Sequence, residues 1–126
     1  MKLEFVAGQF EFIESNLYMG FSELDEDGHY FIMTREETST EEALPNRENI
    51  YIELDDQCWG GNGGIDLIAL SRDKFTIHLN VPMAPIIGFD EIQITFLMDD
   101  DSEFQEFRKV LQEIMRGYED RLNLID

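Results

Sequence analysis

Few residues in the sequence have the types and spacing for chemistry. Cys58 is the only cysteine, and His29 and His78 are the only histidines. A cysteine beside a histidine could form an activated thiolate. Here the two histidines fall on separate predicted strands, His78 alternates with Ile77 and Leu79 so that it points to the solvated side, and no third group that would orient a base is visible. Cys58 therefore reads as a small buried apolar residue. A single thiol allows neither an intramolecular disulfide nor a Cys-pair metal site, and it suits a reducing cytosol.

The stretch ELDEDGHYFIMT, residues 23 to 34, has the opening rhythm of a calcium loop, with Glu23, Asp25 and Asp27 at the first, third and fifth positions and Gly28 at the sixth. The twelfth position, which needs a bidentate Glu, is Thr34, and the flanks read as strands. An acidic hairpin turn is the better reading. Gly60-Gly61-Asn62-Gly63-Gly64 lacks the Lys-Ser or Lys-Thr of a phosphate loop and the spacing of a dinucleotide fingerprint, and it leads into a strand. Its glycines are expected to supply positive φ for a tight connection between YIEL and IDLIAL. Trp59 beside them either closes over the edge of the core, the commoner fate of a tryptophan, or stands exposed as a contact residue.

Charge gives the strongest compositional signal. The chain carries 28 Asp and Glu against 9 Lys and Arg, a net −19. Such a field repels nucleic acid and anionic lipid and attracts cationic partners in a salt-dependent way. The acids cluster at Glu23 to Asp27, Glu36 to Glu42, Asp55 and Asp56, and Asp99 to Asp101, all at predicted strand ends or in loops. They would form a steering rim if they gathered, or a solubilising surface if they did not.

The elements that must position these groups follow from periodicity. At 126 residues and 43% hydrophobic, with ten Phe, residues 1–126 read as one folded domain. The amino-terminal stretch, with acids at positions 4, 11 and 14, is no secretory signal, and no apolar run approaches the roughly 20 residues of a membrane span. Residues 2 to 14 alternate as a strand interrupted at Gly8, and 17–23 and 29–35 form a hairpin. Residues 36 to 48 read as a surface loop, NIYIEL as a strand, and IDLIAL and KFTIHL as a second hairpin turning at Ser71-Arg72-Asp73, with Ile65, Leu67 and Ala69 on one face. After the Pro- and Gly-bearing connection VPMAPIIGFD, EIQITFLM is a further strand. Phe104, Phe107, Leu111, Ile114 or Met115, and Tyr118 then mark an amphipathic helix, with Ser102 and Gln105 as a capping box and Arg116 and Arg121 at the negative end of its dipole. The expected fold is α+β: an antiparallel sheet of about six or seven strands covered by one C-terminal amphipathic helix.

The stretch NIYIELDDQCWGGNGGIDLIALSRDKFTIHL, residues 49 to 79, with Tyr51-x-Glu53-x-x-Asp56-Gln57, a glycine-bearing GGI and two apolar strands, resembles the tenth family of immunity proteins from bacterial polymorphic toxin systems. HYFIMTRE and GFDEIQITFLMDDDSEFQEFRKVLQEI fit the same pattern, so the likeness covers nearly the whole chain. The Cys58-Trp59 pair and the long acidic 36–48 loop depart from it. The resemblance implies a cytoplasmic antitoxin that binds and neutralises a cognate secreted toxin, often a nuclease, with no catalysis and no cofactor. It assigns no contact residues. Charge and aromatic placement make Glu36, Glu37, Tyr51, Asp55, Asp56 and Trp59 the expected partner-binding set for a basic toxin. The alternative is a small metal- or ligand-binding domain or enzyme using Cys58 or the 23–34 turn.

Overall fold

The computed structural model describes residues 1–15, 17–24, 28–35 and 50–125. Among these the strands form two five-stranded sheets. The second sheet is a meander in chain order: β2 (Gln9–Ile13), β3 (Tyr18–Ser22), β4 (Tyr30–Arg35), β5 (Ile50–Leu54) and β6 (Asp56–Asn62), each antiparallel to the next. The first sheet combines the chain's beginning with its later half. Its order is β1 (Lys2–Val6), β9 (Glu91–Thr95), β8 (Lys74–Leu79), β7 (Ile65–Leu70) and β10 (Leu122–Leu124). The α-helices among the described residues are α1 (Ala84–Ile87) and α2 (Asp101–Ile114).

The expectation of a single antiparallel sheet of six or seven strands is corrected on two points. There are two sheets, and the edge pairings β1 with β9 and β10 with β7 are parallel. Alternation along a strand reports which side chains are buried, but it carries no information about which strand lies alongside. The chain passes between sheets within single peptide steps. The Ala7 N–H donates to Thr95 O in the first sheet (2.8 Å), and the next N–H, of Gly8, donates to Ser22 O in the second (2.8 Å). The return is equally abrupt: Gly63 N–H donates to Ile50 O (2.7 Å), while Gly64 O accepts from Asn80 N–H (2.9 Å).

Gly63 and Gly64 have φ of 78° and 87°, as a positive-φ connection requires. However, a whole strand, β6, lies inside what the glycine composition marked as a loop. Asp55 alone turns the chain from β5 into β6, with φ 65°, a conformation that Asp tolerates better than most residues.

On the 65–79 hairpin, the register shifts between Ile65 and Leu67. This bulge turns Leu67 outward, 38% exposed, and buries Ile68 and Leu70 instead, which overturns the expected common face of Ile65, Leu67 and Ala69. Phe75, Ile77 and Leu79 are buried as their spacing requires, and so are Ile92, Ile94 and Phe96.

Helix α2 buries Phe104, Phe107, Val110, Leu111 and Ile114. Its cap is Asp100, whose carboxylate accepts from Ser102 N–H (2.9 Å) and Ser102 Oγ (2.7 Å), in place of the expected Ser102–Gln105 box. Arg121 lies beyond the helix, in a 3-10 turn, and the cation at the helix C-terminus comes from the sheet: Arg35 Nη1 donates to Ile114 O (2.9 Å) and Arg116 O.

The core closes on Phe107. Its ring stacks on Phe12 of the second sheet at 4.7 Å and 4°, and meets Phe21, Phe75, Phe96 and Phe104 edge-on at 5.3 to 6.3 Å. Phe21 also lies 5.4 Å from Phe75, so the buried faces of the two sheets meet directly. Burying each such ring is worth about 1.5–3 kcal/mol.

Candidate functional site

The three central strands of the meander, β3 to β5, use one set of alternate residues for the core. The other set forms an outer face that α2 does not cover. Met19, Phe21, Phe31, Met33, Ile52 and Leu54 point inward. Tyr18 and Gly20 on β3, Tyr30 and Ile32 on β4, and Tyr51 and Glu53 on β5 take the opposite parity.

Glu53 is the one buried charged residue among those described, 6% exposed. Tyr30 Oη donates to its Oε2 (2.5 Å) and Tyr51 Oη to its Oε1 (2.6 Å). Each carboxylate oxygen is thus held by one phenol. Burial, and next the bond to Glu53, raises Tyr30 far above the usual tyrosine range. For Tyr51 the bond to Glu53 is the larger cause, and the phenol is pushed up to about 12. Both hydroxyls therefore remain donors at any ordinary pH.

A depression of about 910 Å³ runs over this face, lined in part by Glu11, Tyr18, Gly20, Tyr30, Ile32 and Glu53. Gly20 makes room for the Tyr18 side chain, which lies over it: a Cβ there would come within 2.8 Å of Tyr18 Oη and 3.2 Å of Ile32 Cγ2. Tyr18 is itself raised by burial and then by Glu11 and Glu53, whose carboxylates bear on it.

Next to the depression, the strand ends at one end of the meander gather several acids. The Asp55 carboxylate accepts from Tyr30 N–H (2.9 Å) and lies 2.7 Å from His29 Nδ1, while Asp55 N–H donates to Tyr30 O (3.1 Å). Glu23 closes the neighbouring turn by accepting from His29 N–H (2.8 Å). Asp56 is exposed, and Cys58 N–H donates to it (2.9 Å), holding its carboxyl below the usual range. Trp59, on the edge strand β6, is 48% exposed.

Of the expected partner-binding residues, the structure brings Tyr51, Asp55, Asp56 and Trp59 together on the β5–β6 hairpin. Glu36 and Glu37 lie outside the described residues, as do Asp25 and Asp27 of the 23–34 turn. Asp55 is committed to the hairpin's own geometry, so its charge acts from a fixed position. Asp100 serves the helix, and Asp101 lies 4.0 Å from Arg72. The described acids therefore do not form one continuous rim.

Cys58 is exposed, against the expectation of burial, because it sits on a strand that has no sheet neighbour beyond it among the described residues. Its thiol is pushed up by the Asp56 carboxylate beside it, the direction opposite to a nucleophile's needs. His29 is engaged with Asp55, and His78 lies 3.7 Å from Glu91 in the first sheet. Among the described residues no group of three or more His, Cys, Asp or Glu side chains could hold a metal ion, and no helix is long and apolar enough to cross a membrane.

Glu53 and Tyr30 are the site residues that the sequence reading missed. The signal was present: Tyr51 and Glu53 occupy the positions between Ile50, Ile52 and Leu54, so period two places both on the face away from the core. Compared with protein-family models, curated proteins and solved structures, the chain matches none.

Proposed function

We propose that this chain is a cytoplasmic immunity protein of a bacterial polymorphic toxin system. It binds a cognate basic toxin domain, often a nuclease in such systems, and neutralises it by occluding the toxin's active site. No catalysis and no cofactor take part. The observation that carries the reading is the outer face and acidic end of the second sheet, where Glu53, Asp55 and Asp56 stand with Tyr51 and a half-exposed Trp59 on one hairpin of a chain of net charge −19.

A nuclease cleft is shaped to hold phosphates, so an anionic face competes with its substrate for the same cations. Steering by a field of this sign raises association rates by about 10- to 1,000-fold at low salt. A half-exposed tryptophan supplies the apolar anchor that slows dissociation. The resemblance at residues 49 to 79 supports the same reading, and the raised Cys58 thiol disfavours the nucleophile alternative.

The deciding experiment uses a toxin domain encoded beside this chain's gene, measured by surface-binding kinetics at several ionic strengths and by rescue of toxin-expressing cells. Tight, salt-dependent association and rescue are expected. Asp56→Asn should slow association and flatten its salt dependence, and Trp59→Ala should speed dissociation at least tenfold. A wild-type chain that neither binds nor protects would overturn the reading.

A further inference from the structure

The outer depression of the second sheet has a hydrogen-bonding character that selects its occupant. Tyr30 and Tyr51 have already given their only protons to Glu53, so the oxygen of Tyr30, which lines the depression, can only accept there. Glu53 keeps two unused lone-pair positions, and Glu11 adds another carboxylate at the opposite side of Tyr18. The floor is thus rich in acceptors and carries negative charge. Among the described residues no Lys, Arg or His forms an ion pair with Glu53, although a buried carboxylate without a cation is costly. The Tyr18 ring, lying over Gly20, and the Tyr30 ring both line the depression and give a flat group aromatic surface to lie against.

We propose that this depression is a receptor for an arginine side chain of a basic protein partner, its guanidinium donating to Glu53 and lying against the rings of Tyr18 and Tyr30. A guanidinium has five N–H donors and no acceptor, matches a carboxylate in a planar fork, is weakly hydrated, and stacks on aromatic rings. Phosphates, carboxylates and nucleic acid are excluded by the same acceptors. A lysine ammonium meets the charge but neither the planarity nor the stacking. The depression exceeds the volume of one side chain, so the arginine enters with its flanking residues.

The assignment rests on the reading of a basic partner, and its test needs no toxin. The probe is a blocked Gly-Arg-Gly tripeptide, compared with the same peptide carrying lysine or the uncharged isostere citrulline, and followed by the aromatic-ring NMR resonances of Tyr18 and Tyr30. Saturable shifts are expected with the arginine peptide, with affinity at least tenfold weaker for citrulline and severalfold weaker for lysine. Glu53→Gln removes one charge of the excess and should abolish saturation. Ile32→Trp fills the depression with every charge retained and should do the same, so the question is decided even if Glu53→Gln fails to fold. Equal binding of lysine, or shifts scattered over Asp56, Asp66 and Asp120 without saturation, would overturn the assignment. Arginine binding with no toxin partner found would instead count against the immunity reading alone.

Discussion

The two faces of the meander are made from the same central strands, β3 to β5, yet different forces hold them. On the inner face Met19, Phe31, Met33, Ile52 and Leu54 are fully shielded from water, and the aromatic edge of Phe21 meets Phe107. That face is held by volume and by apolar area removed from solvent. On the outer face the ordering comes from a few directional contacts focused on one carboxylate, with Tyr18 lying over Gly20 beside them. Where one face is filled with hydrocarbon and hydrogen bonds fix a charge on the other, the first face makes the fold and the second stands outside that packing. The comparison yields distinct expectations for substitution.

The largest effect should come from the inner side. Phe107→Ala removes the ring on which Phe12, Phe21, Phe75, Phe96 and Phe104 converge, and should cost about 3–5 kcal/mol in urea unfolding. A loss below about 1 kcal/mol would mean that helix and sheets do not share one core.

Next is the crossing between sheets. Gly64→Ala places a Cβ at φ 87° and 2.5 Å from Met83 Cβ and Cγ, and should cost about 2–3 kcal/mol by the same measurement. A neutral result would show that the passage from β6 to β7 relaxes freely.

The outer face should declare itself at alkaline pH. Both phenols on Glu53 have folded pKa values raised above the ordinary 10, so folding favours their protonated forms. Their contribution is fully present below about pH 10 and is lost as pH rises through the folded values, over roughly pH 10 to 12 for Tyr51. Phenolate absorbance should show Tyr30 and Tyr51 ionising late, and Glu53→Gln should bring them back toward 10. If all four tyrosines titrate together near 10 in the native chain, the network is absent.

The smallest effect belongs to neither face. Asp100→Ala removes the cap of α2 and should lower Tm by only a few degrees, with the arginine-peptide response unchanged. A lost response would couple the helix end to the outer face.

Much of the local structure was legible because it is written in local periods. The hairpins at 17–35 and 65–79 and the helix stripe through Phe104 and Phe107 fall where alternation and three-four spacing put them. What was not legible is long-range. Gly8 looked like an interruption in one strand and is the point where the chain changes sheets, because nothing near it in sequence names Thr95 as the partner of Ala7. The bulge at Ile65 to Leu67 likewise inverts a face through pairing with β8. Charge and aromatic type single out Tyr51, Asp55, Asp56 and Trp59, and the structure places these four on one hairpin. Those signals overlooked Glu53, since an acid within an apolar strand is informative only once Tyr30 is known to lie beside it.

The edge pairing of β1 with β9 sets an order of assembly. In register Lys2 meets Glu91, and Leu122 meets Ile68, whereas every pairing in the meander joins neighbours in the chain. Closing a short loop costs less entropy than closing a long one, so the meander can form while the first sheet still waits for its distant strands. During synthesis the outer face would then be organised early, and the inner face would stay open to other apolar surfaces until Phe107 emerges. If the outer face is the binding face proposed above, the half that binds is the half that can be ready first.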